Sequence, residues 1–386
     1  MKQKLVIDAR MVNYSGIGVY IKNYISRLLN ESSFELTLLG DKDLLSSVFG
    51  VDVSFRVVDT RLPIYSIQEQ IMLPRLIPTC DIFWSPHYNV PFLPIRAKKR
   101  IVTIHDLYHL HPHNDFSWFR RIYAQIVMRS AICLSEQIFT VSNFSKTELC
   151  KVAKNADRKT QVIYNGVDQT LFNESIPQSI VDNVKQRFGL PARYILFVGN
   201  IKPNKNLVRL LNAFRELIKI DSDIHLVIVG KKEGFLSGDK EVFQLINTDK
   251  VLSERVMFTG YVNEDDLPAI YKAASVFAFP SIYEGFGLPP LEAMLCGCSV
   301  LTSQTSSLPE ICGQAALYVN PLKTSDIKEG LITLLDDQET QLRLIANGRL
   351  QARQFDWDDS VKKFIALINV HVSEKNSQPY DEILNE

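Results

Sequence analysis

Residues 276–297 read VFAFPSIYEGFGLPPLEAMLCG, and the order of events in this stretch sets the fold class. An apolar run with the look of a strand stops at Pro280. A loop carrying Gly285 and Gly287 follows, and a helix is expected to begin at Pro289 or Pro290, where a missing N–H is no loss. Strand, glycine-bearing loop and helix in succession are half of a parallel β–α–β unit. The glycines let backbone approach a ligand closely. The amides near Gly287 and Leu288, just after Phe286, then point at whatever lies above the helix, and phosphate suits that place. Glu284 lies in the loop and Glu292 is expected in the first helical turn, so the two flank one extended ligand. A carboxylate accepts two hydrogen bonds, which matches a vicinal diol: one could hold ribose hydroxyls and the other sugar hydroxyls. The plainer reading of Glu292 is compensation of the helix dipole, worth ~0.3–1 kcal/mol.

Outward from this stretch, the same alternation fills the chain. Strands are expected at Leu5–Ile7, Leu36–Leu39, Phe55–Val58, Ile82–Trp84, Arg100–Ile104, Ile138–Val141 and Val162–Ile163, then at Tyr194–Val198, Leu226–Val229, Val256–Phe258, Val276–Ala278, Val300–Thr302 and Leu317–Val319. Amphipathic stretches near 17–29, 67–77, 117–133 and 143–151, and near 206–219, 264–273, 289–296, 324–335 and 338–353, read as helices. Such alternation implies parallel sheets with right-handed crossovers and helices on both faces. The 386 residues exceed one ordinary core, so two doubly wound α/β domains are expected, 1–172 and 173–356, with the break marked by Asn165-Gly166, Pro177 and Pro191. Residues 357–373 read as a final helix through Trp357, Val361, Phe364 and Leu367, expected to return to the first domain ahead of a loose polar tail to 386. Ligands of doubly wound sheets bind at the carboxyl ends of strands, which points to the cleft between the domains.

Composition excludes several function classes. The 43 basic and 43 acidic side chains cancel, so no global attraction to nucleic acid is expected. None of the six cysteines, Cys80, Cys133, Cys150, Cys296, Cys298 and Cys312, forms a CxxC pair, and Cys296 and Cys298 have no partner at ligand spacing, so a zinc site is not expected. A long chain with few scattered cysteines reads as reduced and cytoplasmic. The apolar run within residues 1–10 is too short for a signal peptide, and no stretch of ~18 apolar residues reads as a membrane span.

Other segments carry charge or glycine near the expected cleft. Gly16-Ile17-Gly18 follows the first strand and opens a helix, so its backbone can approach an anion; the alternative is a tight turn. Lys205 follows the strand Tyr194–Val198 as a mobile point charge, able to meet a phosphate or simply solvated. His105 ends the strand Arg100–Ile104 and so points to the cleft. His109, His111 and His113 have a spacing that suggests a metal, but Pro112 breaks it and no carboxylate pattern supports it. Asp-x-Asp triplets at 41–43, 221–223 and 356–358 read as caps or turns, with Asp41-Lys42-Asp43 the one serious metal rival. No metal or other cofactor is expected. From 96 to 130, seven basic residues, among them Arg120, Arg121 and Arg129, interleave with Trp118, Phe119 and Tyr123. A face for an anionic membrane or lipid-linked acceptor and an ordinary half-buried helix both fit.

Together these segments resemble the family-four retaining glycosyltransferases of the GT-B fold. The run from Tyr283 to Ala293, with Glu284 and Glu292, is similar to the family's Glu-x7-Glu signature. The resemblance continues through Asp8-Ala9-Arg10 with Ser15-Gly16-Ile17-Gly18, Thr103-Ile104-His105-Asp106, Thr140 to Lys146, Ile163 to Asp168 and Val198 to Asn206, and covers nearly the whole chain. Within the family it is nearest to bacterial mannosyltransferases of polysaccharide and O-antigen assembly. The resemblance implies a nucleotide-sugar donor on the second domain, GDP-mannose ahead of UDP-glucose, and a glycan or lipid-linked saccharide acceptor on the first. It implies that His105, Lys205 and Glu284 serve the chemistry: His105 contacts the donor sugar, Lys205 the diphosphate and Glu284 the sugar. Glu292 would hold the ribose, Gly16 and Gly18 would face the diphosphate and acceptor, and the loop Gly260-Tyr261-Val262 would read the base. Asn200 departs from the family's arginine, and Lys202 is the candidate substitute. Retention without a placed carboxylate nucleophile implies attack from the leaving-group side, with the phosphate taking the proton and no metal required, in a protein working at the inner face of the membrane. The alternatives are a UDP-glucosyl- or N-acetylglucosaminyltransferase, an epimerase or phosphorylase of the same architecture, and a catalytically silent nucleotide-sugar-binding module.

Overall fold

The structure, a computed structural model, describes residues 2–50, 55–111, 118–230 and 240–375 and contains two parallel sheets. The first is built from β1 (Gln3–Asp8), β2 (Phe34–Gly40), β3 (Arg56–Asp59), β4 (Cys80–Ser85), β5 (Ala97–Ile104), β6 (Gln137–Thr140) and β7 (Thr160–Val162), in the order β3-β2-β1-β4-β5-β6-β7. The second is built from β8 (Tyr194–Val198), β9 (His225–Val229), β10 (Val256–Gly260), β11 (Val276–Phe279), β12 (Val300–Ser303) and β13 (Leu317–Val319), in the order β10-β9-β8-β11-β12-β13. Ile7 registers in parallel with Leu38 on one side and Trp84 on the other, as Ile195 does with Leu226 and Val276. β6, β8 and β11 are buried along their whole length, and burial on both faces requires the helical layers that crossovers supply. In each sheet the winding reverses beside the first strand, between β1 and β4 and between β8 and β11, and the crevices open at the carboxyl ends there. Every stretch expected as a strand forms one.

Helices depart more from the sequence pattern, which leaves out Lys42–Phe49, Gln178–Phe188, Lys240–Thr248, Lys250–Arg255 and Leu308–Cys312. Gln178–Phe188 occupies the expected interdomain break. Pro177 is its N-cap and Gly189, at φ +62°, its left-handed C-cap, so signals that read as interruption are a start and a stop. The last helix, Trp357–Lys375, crosses back to the first sheet. Phe364 lies among Tyr24, Trp84 and Phe139 with ring centroids 5.3, 4.5 and 5.1 Å away, and Lys363 Nζ donates to the Val162 carbonyl at 2.9 Å. Among the described residues no helix is long and apolar enough to cross a membrane.

Candidate active site

The second-domain crevice is framed by two strand exits. β8 leads through Gly199 and Asn200 to the turn Pro203–Lys205, and β11 leads into the loop 280–287. Asn206, held at φ +60°, ties them together by donating from its side-chain amide to the carbonyls of Pro280 at 3.0 Å and Pro321 at 2.7 Å. Lys205 is thereby brought to Glu284, Nζ to Oε1 2.7 Å, with its ammonium 4.7 Å from the centre of the Phe279 ring. The two side chains are 16% and 12% exposed, drawn mostly out of water yet still reachable by an anion. Ser306 Oγ accepts from the Glu284 N–H at 3.2 Å and Ser307 Oγ donates to its carbonyl at 3.0 Å, which fixes the loop backbone.

The helix Leu288–Leu295 starts at Gly287, whose φ of +118° suits glycine and whose cap has no side chain. Four amides at a helix start lack helical partners. Here Pro289 and Pro290 carry no N–H, which leaves Gly287 and Leu288 as the donors. Because the helix begins at Leu288, Glu292 falls in its second turn, not the first, and dipole compensation no longer explains it. Its Oε2 accepts from Tyr271 Oη at 2.8 Å. Burial pushes the Glu292 carboxyl up to about 7 against the opposing hydrogen bond from Tyr271, and Glu264 adds to the rise.

The facing crevice belongs to β1, β4 and β5. His105 follows β5, with Nε2 2.9 Å from the Pro86 carbonyl. A carbonyl only accepts, so the neutral ring carries its proton on Nε2 and leaves Nδ1 as an acceptor. Burial lowers the His105 pKa, which keeps the ring neutral near pH 7. Tyr20 meets it edge-on at 4.7 Å between centroids. Beneath lies a buried charge cluster: Arg10 Nη2 reaches Asp8 Oδ2 at 2.6 Å and Glu69 Oε1 at 2.5 Å, and His87 Nε2 is 3.2 Å from Asp8 Oδ2. Burial alone would raise the Asp8 carboxyl, but Arg10 and His87 outweigh it and hold it well below the usual carboxylate range. The cluster thus pins the exits of β1 and β4 to the helix Ile67–Leu76.

The two crevices meet. A Cβ on Gly285 would come within 2.1 Å of the His105 carbonyl oxygen, so this glycine serves the approach of the opposite domain and not, as its place in the loop suggests, of a ligand. Asn200 Nδ2 donates to Ser15 Oγ at 3.0 Å across the same cleft.

Two family models divide the chain at the same place as the sheets: residues 14–171 match Glycosyltransferase Family 4 and residues 178–351 match Glycosyl transferases group 1. The chain belongs to the GT-B glycosyltransferases. This glycosyltransferase is 29% identical over 293 residues to the O-antigen chain mannosyltransferase B of Escherichia coli, spanning 74% of this chain and 73% of that one. It is 29% identical over 224 residues to the serotype-specific mannosyltransferase WbdA of Escherichia coli, spanning 58% of this chain and only 27% of that longer protein. HepE of Anabaena, solved in complex with UDP-glucose, shares the fold with a TM-score of 0.77 at 19% identity over 95% of this chain and 100% of that one.

Other expected site residues of the glycosyltransferase are placed as follows. Gly16 is open at the start of the helix Ser15–Leu28. Gly18 faces inward instead, where a Cβ would come 2.5 Å from the Val12 carbonyl oxygen, so packing and not ligand approach requires it. Lys202 is half-buried near Asp106, Lys205 and Glu284, and burial lowers its pKa. Tyr261 is exposed and Val262 half-buried after β10, at the sheet edge. The basic-aromatic set on the helix Trp118–Leu134 does not share one face: Trp118 points outward, Tyr123 turns in to place Oη 3.5 Å from Asn89 Oδ1, and Arg121 is half-buried. The side chains of Phe119 and Arg120 and all of His113 lie outside the described residues. His109 stacks on Tyr88 at 4.1 Å and His111 packs on Tyr283 at 5.3 Å. Asp41 caps the helix Lys42–Phe49, Asp356 accepts from the amides of Asp358 and Asp359, and Asp221 accepts from the amide of Asp223 in a turn. Among the described residues no three His, Cys, Asp or Glu side chains are grouped to hold a metal. Tyr271 and Tyr20 join the site without having been singled out from sequence, since nothing local links them to Glu292 or His105.

Proposed function

We propose that this glycosyltransferase moves a mannosyl group from GDP-mannose to a glycan or lipid-linked saccharide acceptor in O-antigen assembly, with retention of configuration and without a metal. The observation that carries this reading is the Lys205–Glu284 ion pair beside the uncapped helix start at Gly287, in a loop packed on His105. The names of the two Escherichia coli relatives support the sugar and the polymer. An arriving diphosphate draws Lys205 from Glu284 and frees that carboxylate for sugar hydroxyls, while Glu292 accepts from a ribose diol. The bond from the anomeric carbon to the phosphate oxygen breaks as the bond to the acceptor oxygen forms on the same face, and the acceptor's proton passes to the departing phosphate. Charge grows where Lys205 and the amides of Gly287 and Leu288 stand, and one preorganised donor of this kind is worth ~3–4 kcal/mol. Lys202 serves as the second cation where Asn200 cannot. His105, neutral with Nδ1 as acceptor, bonds a sugar hydroxyl and moves no proton. A thermal-shift panel of nucleotide sugars tests the donor: GDP-mannose is expected to raise the melting temperature in EDTA, and stabilisation by UDP-sugars alone would replace the assignment with a UDP-hexosyl donor.

We also propose that the helix Trp118–Leu134 rests on the membrane that carries a lipid-linked acceptor. Trp118, Ile122 and Ile126 are 62%, 44% and 51% exposed at four-residue spacing, and Arg129 continues the same helical face.

A further inference from the structure

We propose that Glu310 is a positioning residue: seated in the amide end of the helix Asn143–Val152, its carboxylate holds the two domains in the register that sets the Glu284 loop against His105. Glu310 lies in the short helix Leu308–Cys312 of the second domain, after β12, whereas the helix Asn143–Val152 belongs to the first, after β6. Across the interface, Oε1 accepts from the Asn143 N–H at 2.7 Å and from Asn143 Nδ2 at 2.9 Å, and Oε2 accepts from the Phe144 N–H at 3.0 Å. The helix already has its own cap, because Ser142 Oγ accepts from the Ser145 N–H at 3.0 Å. Glu310 therefore satisfies amides that the local cap does not reach. A carboxylate there gains both charge-assisted hydrogen bonds and the positive end of the helix dipole.

The same helix end grips both reactive loops. Ser142 Oγ donates to the Gly285 carbonyl at 2.6 Å. Ser145 Oγ lies 2.9 Å from the His105 carbonyl oxygen and 3.3 Å from that of Gly285, and its one proton serves them in turn. One helix terminus thus holds the loop of Glu284, the loop of His105 and the carboxylate of Glu310 from the neighbouring helix Leu308–Cys312. The serine contacts are neutral and depend on the domains already being apposed. The Glu310 contact is charge-assisted and so adds the stronger attraction between them.

The test compares full-length wild type, E310A and E310Q by small-angle scattering without ligand and by steady-state transfer. E310A is expected to have a larger radius of gyration, to contract at saturating donor, and to lose at least tenfold in kcat while donor KM changes by less than threefold, with its melting temperature nearly unchanged. E310Q keeps an acceptor oxygen and is expected to recover part of both losses; no recovery overturns the hydrogen-bonding account. Unchanged scattering by E310A overturns the proposal whether or not turnover falls, and expansion with turnover within twofold of wild type overturns the positioning role. The kinetic arm rests on the transferase reading. The scattering arm needs no donor, so failure of the GDP-mannose assignment leaves it intact.

Discussion

Lys205 meets Glu284 with most of both side chains out of water, so deleting the ammonium leaves a carboxylate facing the position of the leaving phosphate. Lys205→Ala is expected to lower transfer by about 100-fold or more while the melting temperature stays near wild type; near-normal turnover by the purified variant would sink the site assignment. Glu292 gives a prediction in pH. The folded protein holds its proton up to about 7, whereas a free glutamate side chain loses it near 4.5, so any stability from this group is full below pH 4.5 and is lost as pH rises through 7. Binding a diol needs the ionised form, so donor KM is expected to rise as pH falls below about 7. Tyr271→Phe removes the hydrogen bond that opposes the rise, and it should move that limb to higher pH. A donor KM flat from pH 5.5 to 8 would remove Glu292 from the ribose. Glu284 and Glu292 were legible because their spacing straddles a strand-to-helix turn. The work of Gly285 was not, because the atom it makes room for belongs to His105 in the other domain.

The helix Trp118–Leu134 turns an apolar row outward where soluble helices usually bury one. Replacing Trp118, Ile122 and Ile126 by serine is expected to reduce sedimentation with anionic vesicles at least fivefold while leaving transfer to a detergent-solubilised acceptor within twofold. Equal vesicle binding by the triple variant excludes this face. Sequence singled out this helix with a mixed set of residues on it, since aromatic character marks Tyr123 as readily as Trp118 and only the helical phase separates them. Strands were easier to read than helices. Two-sided burial makes short, unbroken apolar runs such as Tyr194–Val198, whereas Gln178–Phe188 buries only Val181 and Val184 and its pattern is faint.

At the scale of the molecule, alternation of strand and helix gave away two doubly wound sheets, but not how they face each other. The contacts that set the cleft join residues far apart in the chain, as Ser142 to Gly285 and Asn143 to Glu310, and no local pattern encodes them. The return of the helix Trp357–Lys375 makes its own prediction: removing residues 357–386 strips cover from Tyr24, Trp84 and Phe139. The shortened protein is expected to bind a hydrophobic dye and to precipitate on expression, and a soluble, dye-negative product would show that the helix is dispensable to the first core. The crossing also orders events during synthesis. β7 leaves the ribosome about two hundred residues before Phe364, which at ~5–20 residues per second is a wait of roughly ten to forty seconds. For that interval the nascent first domain displays an aromatic groove with no occupant, while the second domain can already close its own sheet. The last piece of the first domain to be translated is the one that seals it, so the vulnerable period in the cell is translational, and slow codons late in the message would lengthen it.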